Sequence, residues 1–440
     1  MSTTEIAVEA KKVFGDSAVA ARADSTGPAA PVWDIDVRSY ETHARVEYFV
    51  KVFSGRAKEP FAKALQRQTR YGALIRGALR DGGLPEDLTY LALIESWYDP
   101  HAYSKAAAVG MWQFMTRTAR GAGLRVDWWV DERRDPVRST QGAVRLLREL
   151  KDQFGSIYLA AAAYDGGDGR IARGLARYRS DLDGVEGDDR FFTLAGTSYL
   201  RAETRDYVPK IIAAALVGKE PARYGVTVDS VAALAFDSVR VAGGTPLAAV
   251  GNAAGAPPAL MRELNPHILR GATPPGEAMW VRVPAGSAAT FDDRFAALDS
   301  SELRAFTRVE SRKGESMASI ARKHALTAKQ LAWYNPKVQR LKSGNLVAGQ
   351  RILVPSHATV AAALDVPDPS IEKFPRRAKA TARKGSGGKA GAKKGSSAKK
   401  GKSATSGSAA KKATRAKKGS AAKKAPPKKH ATAKKTPANS

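Results

Sequence analysis

The chain contains no cysteine, which removes disulfides, thiolate metal sites, a thiol nucleophile and the acylated cysteine of a lipoprotein. No apolar run reaches the roughly 18 to 20 residues of a membrane-spanning helix, and Ile211 to Val217 reads as a buried helix segment. Residues 1–25 lack the basic start and apolar stretch of a secretory leader, although Ala18 to Ala23 is rich in small residues. The 6 histidines fall in no ligand spacing, so neither metal nor cofactor is expected. Acidic residues are missing from Lys373 to Ser440, a stretch that holds 23 of the 72 Lys and Arg.

That last absence relocates the net charge of +29, because residues 1–372 are left near +6. The basic character belongs to a tail of Ala, Lys, Gly, Ser, Thr and Pro, which cannot bury enough apolar surface to offset chain entropy and is expected to be disordered. Lys-Lys pairs at Lys393, Lys399, Lys411, Lys417, Lys423, Lys428 and Lys434 spread charge along this arm, suiting anionic polymers without sequence preference. The arm resembles linker-histone tails, so a DNA-associated protein is a competing class. Against nucleic acid, the rest of the chain has no basic excess and no base-reading motif.

At 440 residues with 43% hydrophobic content, two or three folded units are expected. After a leader (1–35), residues 36–218 read as successive helices. Val46, Phe49, Val50 and Phe53 form one apolar face, and a later helix carries Leu146, Leu147, Leu150 and Phe154 between a Ser139 cap and a Gly155 stop. The small-residue run Leu159 to Ala163 lets helices approach closely. A linker (219–235) leads to two repeats of about 70 residues, aligned by Asn265-Pro266 with Asn335-Pro336 and by Val283-Pro284 with Val354-Pro355. Each reads as strand, two short helices, strand, over 236–285 and 305–356, with 357–440 as the basic tail. The second repeat has strands at Thr307 to Ser311 and Arg351 to Val354 around a core of Met317, Ile320, Ala321, Leu326 and Leu331. Pro246, Gly251 and Gly255 are expected to disturb the first helix of the first repeat. The fold class is mainly α, an all-helical domain followed by small α+β modules.

The segment GLPEDLTYLALIESWYDP carries the chemistry. Pro85 suits a first helical position, Glu86 and Asp87 suit the N-terminal dipole, and Pro100 bars extension. Leu88, Leu91, Ala92 and Glu95 fall at i, i+3, i+4 and i+7, which puts one carboxyl on the buried stripe. Burial there raises a carboxyl pKa, as a general acid near neutral pH requires; a helix-end Glu turned to solvent is the plain alternative. AYSKAAAVGMWQFM follows, with Ser104, a close-approach glycine and the pair Trp112-Gln113, and then come WWVDERRDP, AAAYDGG and LRAETRDYVPK. Rings stack on sugar faces and amides bond sugar hydroxyls, so Trp112, Gln113, Tyr164 and Tyr207 are candidate groove residues, although a buried Trp or Tyr taken alone is more often core than site. Asp131, Glu132 and Asp135 are read as structural, paired with Arg133 and Arg134 and capping the next helix.

Over about residues 40–356 the ordered motifs Glu95-Ser96, Gly110-x-Trp112-Gln113, Ala163-Tyr164 and Tyr207-Val208-Pro209 resemble the lytic murein transglycosylases of the membrane-bound D type. The resemblance implies a lysozyme-like helical catalytic domain. It would cleave the β-1,4 bond between N-acetylmuramic acid and N-acetylglucosamine in peptidoglycan without water, leaving a 1,6-anhydro end. It implies Glu95 as the catalytic acid, with Ser96, Ser104, Trp112, Gln113, Tyr164 and Tyr207 around the substrate. A hydrolysing muramidase and a non-catalytic wall-binding protein are the alternatives. Three positions depart from the family: Asp165 replaces an Asn, Ala107 a Gly and Arg201 a Pro. The second repeat resembles a LysM domain, which implies glycan binding at the loop of Gly314, Glu315, Ser316 and Met317. A monomer acting in the periplasm or cell envelope, on peptidoglycan strands, is the expectation that follows.

Overall fold

The computed structural model describes residues 31–371. The leader up to residue 30 and the basic tail from residue 372, with the disorder expected of it, lie outside the described residues. Within them the apolar side chains gather into three cores, one in the helical part and one in each βααβ unit.

The helical part comprises α1 (Ala44–Ser54), α2 (Lys58–Asp81), α3 (Thr89–Ser96), α4 (Thr116–Gly121), α5 (Pro136–Phe154), α6 (Ile157–Gly166), α7 (Asp168–Arg177), α8 (Asp189–Gly196) and α9 (Ala202–Lys219). On α1 the spacing reading holds, since Val46, Phe49 and Phe53 are buried. The alanines of α6 are buried too, and with no side chain to hold the backbones apart α6 packs closely against α9 and α5. Helix α5 starts earlier than its Ser139 suggested. Asp135 is the cap, accepting from the backbone N–H groups of Val137 (2.8 Å) and Arg138 (3.0 Å) ahead of Pro136, while Ser139 lies inside the helix and bonds back to the Asp135 carbonyl. Gly155 ends α5 in the left-handed region, as expected. Pro85 precedes a single 3-10 turn, Glu86–Leu88, instead of opening α3. Nor is Pro100 what stops α3, because Trp97 and Tyr98 already turn the chain with φ of +59° and +58°. Consecutive left-handed non-glycine residues cost energy and persist only where packing imposes them.

The first repeat is β1 (Phe236–Val241), α10 (Leu247–Ala254), α11 (Pro258–Leu264) and β2 (Met279–Pro284), with β1 antiparallel to β2. Pro246 and Gly255 bound α10 as its caps and Gly251 makes room for Met261 and the Ala256 carbonyl, so these residues delimit the helix rather than disturb it. After α12 (Phe291–Ala296) the second repeat follows as β3 (Phe306–Glu310), α13 (Met317–Lys323), α14 (Ala328–Trp333) and β4 (Arg351–Pro355), then α15 (His357–Ala362). Asn265 and Asn335, the repeat markers, do the same work. Each side-chain amide accepts from a backbone N–H of the closing strand and donates to the carbonyl of the same residue, Arg282 or Leu353.

The repeats are packed against the helical part by a polar seam. Asp131 N–H donates to the His267 carbonyl (3.0 Å) and Leu269 N–H to the Trp129 carbonyl (2.9 Å). Arg282 Nη2 lies 2.7 Å from both Asp135 oxygens, with His267 Nδ1 at 3.2 Å from one of them. The buried Arg270 guanidinium stacks 4.1 Å above the Trp128 ring, whose Nε1 donates to the Trp333 carbonyl. The chain then returns to the helical part, where the Pro369 carbonyl accepts from Thr116 Oγ1 at 2.8 Å.

Candidate active site

Helices α3, α6 and α9 bring a carboxyl and two phenols together. Glu95 ends the apolar stripe of α3, below Leu88, Leu91 and Ala92, all buried. Part of its surface stays open to solvent, yet protein atoms crowd the carboxyl itself. Tyr207, from α9, donates its hydroxyl proton to Glu95 Oε1 at 2.5 Å. Tyr164, from α6, donates to the Trp112 carbonyl at 2.7 Å. Burial is the largest influence on Glu95 and pushes its pKa up to about 7; Asp165 and Glu203 add to the rise, and the Tyr207 hydrogen bond and Lys210 oppose it. The carboxyl is therefore poised between its two forms near neutral pH, a requirement of a group that must first give a proton and then take one.

The loop from Trp97 to Phe114 closes one side. Ser96 is buried and its Oγ donates to the Met111 carbonyl (2.8 Å) while accepting from Asp99 N–H, so it ties the loop to α3 and does not face the opening. Ser104 folds the loop likewise, its Oγ accepting from Ala106 and Ala108 N–H. Gly110 is the close-approach glycine: its φ is +80°, and a Cβ there would stand 1.8 Å from the Arg133 carbonyl. Ala107 holds φ +67°, which accounts for a glycine being the usual residue there and costs this chain local strain. Gln113, half-buried, donates Nε2 to the Gly110 carbonyl at 2.8 Å, and its own carbonyl oxygen has no donor among the described residues. Trp112 corrects the reading of it as a stacking platform. Its ring is fully buried and its Nε1 donates to Thr140 Oγ1 (3.0 Å), so it supports the cleft from behind.

Asp165, next to Tyr164, has its pKa raised by burial, against a hydrogen bond with Thr204 that lowers it. Asp165 and Glu203 thus lie near enough to Glu95 to raise its pKa as like charges. Glu203, Tyr207 and Lys210 are spaced i, i+4 and i+7 along α9 and share a face, a signal in the sequence that the motif reading passed over. Asp131, Glu132 and Asp135 are engaged elsewhere, Asp131 in a buried bidentate pair with Arg133 and Glu132 with Arg138. Among the described residues no cluster could hold a metal ion. A cleft of about 400 Å³ lined by His101, Tyr103, Arg134 and residues 364–367 contains none of the groups around Glu95.

In the second repeat, Ser316 and Ser319 form a reciprocal helix cap, with Ser316 half-buried, and Met317 is buried in the core. Gly314 turns the loop at φ +83°, and Glu315 pairs with Lys323 while its carbonyl accepts from Leu346 N–H. A ligand at this loop would meet backbone and the edge of Glu315.

Comparison with known proteins identifies three domains: the transglycosylase SLT domain over residues 73–183, the LysM-like domain of lytic transglycosylase MltD over 235–300, and the LysM domain over 312–355. The chain is 30% identical over 302 residues to membrane-bound lytic murein transglycosylase D of Escherichia coli strain K12, which covers 66% of this chain and 64% of that protein. It is 34% identical over 134 residues to peptidoglycan transglycosylase gp16 of Escherichia phage T7, covering 30% of this chain and 10% of the phage protein. The crystal structure of the 70 kDa soluble lytic transglycosylase of Escherichia coli aligns with 35% of this chain and 24% of its own, at 21% identity and a TM-score of 0.29.

Proposed function

We propose that this chain, whose domains belong to the SLT transglycosylase and LysM families, is a lytic transglycosylase of peptidoglycan acting in the cell envelope, with Glu95 as its catalytic acid and base. The observation that carries the reading is a single carboxyl, held by Tyr207 and shifted to about 7, at the open end of a buried stripe.

Protonated Glu95 gives its proton to the oxygen linking N-acetylmuramic acid to N-acetylglucosamine. The C1–O bond breaks and positive charge develops at C1. The carboxylate left behind accepts the proton of the muramic C6 hydroxyl as O6 bonds to C1, which closes the 1,6-anhydro ring and restores Glu95 without consuming water. Tyr207 limits the rotation of the carboxyl through both steps, and the free carbonyl of Gln113 is an acceptor for a sugar hydroxyl or amide. The LysM module binds glycan through its Gly314 loop. The polar seam holds that module in a fixed place beside the helical part, whereas a flexible tether would supply local concentration alone.

A hydrolysing muramidase is the second reading, favoured by Asp165, a carboxyl that could activate water. Mass spectrometry of fragments from purified murein separates the two. Anhydro ends, abolished in Glu95→Gln, are the expected result; reducing ends would assign hydrolysis, and solubilisation by Glu95→Gln at the normal rate would remove the catalytic assignment.

A further inference from the structure

Two neighbouring arginines enter the protein interior and are satisfied unequally. Arg133, 1% exposed, engages both Asp131 oxygens, the Ala107, Phe114 and Pro369 carbonyls and Thr116 Oγ1. Arg134, 3% exposed, makes a single hydrogen bond among the described residues, from Nη1 to the His101 carbonyl at 3.3 Å. Its Nε has no partner, since Asp131 Oδ2 stands 3.8 Å away and already accepts from Arg133. Burial is the largest influence on Arg134 and pulls its pKa below the usual guanidinium value; Asp131 opposes the fall and Arg133 adds to it. A buried cation this short of acceptors is destabilising unless an anion meets it.

Arg134 lines the cleft of about 400 Å³ that contains none of the groups around Glu95. Tyr103, 40% exposed, offers a ring on one side, and Leu364, Val366 and Pro367 supply apolar wall on the other. Asp365, the carboxylate in the lining, is already paired with Lys329 of α14 at 2.8 and 3.0 Å. His101 is neutral at pH 7, its pKa lowered by burial and by the Arg134 charge, so the guanidinium is the cation of this cleft. One uncompensated guanidinium between aromatic and apolar walls, in a space of small-molecule size, suits a carboxylate carried on a compact body.

We propose that this cleft, between the loop from Trp97 to Phe114 and the segment after α15, is a binding site for a small organic carboxylate. On peptidoglycan that chemistry has two sources, the lactyl group of a muramic acid without peptide and the C-terminal end of a stem peptide. These sources rest on the transglycosylase reading; the site itself does not.

The test labels the full chain with 3-fluorotyrosine and follows the fluorine signal of Tyr103, assigned by its loss in Tyr103→Phe, in low-chloride buffer. The probes are N-acetylmuramic acid, acetyl-D-alanyl-D-alanine and, as an uncharged control, N-acetylglucosamine. At least one of the two carboxylates should move the signal saturably, which identifies the source, and N-acetylglucosamine should not. Arg134→Met should weaken that binding about ten- to a hundredfold, and Arg134→Lys, which keeps the charge without the planar fork, should recover part of it. Since loss of a buried arginine can also unfold the chain, Val366→Asp provides the second variant. It adds a carboxylate to the wall with Arg134 in place, and should abolish binding while melting temperature and murein cleavage are kept. No saturable shift with either carboxylate, an equal shift with N-acetylglucosamine, or undiminished binding in Val366→Asp would overturn the site. Murein cleavage by the wild type is measured in parallel, and its absence would overturn the proposed function while leaving the site intact.

Discussion

Two regions of the molecule bury carboxyls and treat them oppositely. In the cleft, Glu95 is crowded by protein and receives one neutral phenol as its partner, with Asp165 and Glu203 as like-charged neighbours, and its pKa rises to about 7. In the seam, burial would likewise raise Asp135, but the Arg282 guanidinium and the N-terminal amides of α5 hold its carboxyl below the ordinary value. His267 there is pushed down to about 4 by burial and so stays neutral beside the pair. The penalty of burial is common to both; compensation is what differs. Where it is complete the carboxyl is a fixed anion that joins domains, and where it is withheld the carboxyl becomes a proton carrier.

The largest way to break this contrast is to remove the compensated acid. Asp135→Ala strands Arg282 in the seam and uncaps α5, and should cost about 3–5 kcal/mol in urea unfolding. A loss below about 1 kcal/mol would mean the seam carboxyl is no better integrated than a surface one.

The uncompensated acid should respond with the opposite sign. The folded pKa of Glu95 lies above its ordinary 4.5, so the stability it confers is complete below about 4.5 and is lost as pH rises through about 7. Glu95→Gln should therefore be neutral at pH 4 and stabilise the protein by about 2–3 kcal/mol at pH 8. Equal melting shifts at both pH values would contradict the desolvated carboxyl.

The smallest effect sharpens the comparison. Asp165→Asn removes a negative neighbour of Glu95, so its pKa falls and the alkaline limb of the pH–rate profile moves to lower pH. An unmoved limb would show that the two carboxyls are not coupled.

What could be read from sequence was whatever is local or periodic. The stripe from Leu88 to Glu95, the glycine at 110 and the paired βααβ units follow from spacing and backbone sterics, and all appear in the structure. Trp112 could not be assigned to the core because its partner, Thr140, lies 28 residues away. Asp135 was legible as a cap, but Arg282, 147 residues on, was not, since nothing local encodes which distant cation meets it. Ser96 was recognised as part of the site while its direction was hidden: a hydroxyl in a motif does not reveal whether it faces substrate or the Met111 carbonyl.

The central claim is the protonation equilibrium of Glu95, and carbon-13 NMR titration of its side-chain carboxyl, assigned by loss of the signal in Glu95→Gln, measures it directly. A midpoint near pH 7 is the predicted result. A midpoint near the ordinary glutamate value of 4.5 would contradict the account, since that carboxyl would already have lost its proton before meeting a glycosidic oxygen at neutral pH.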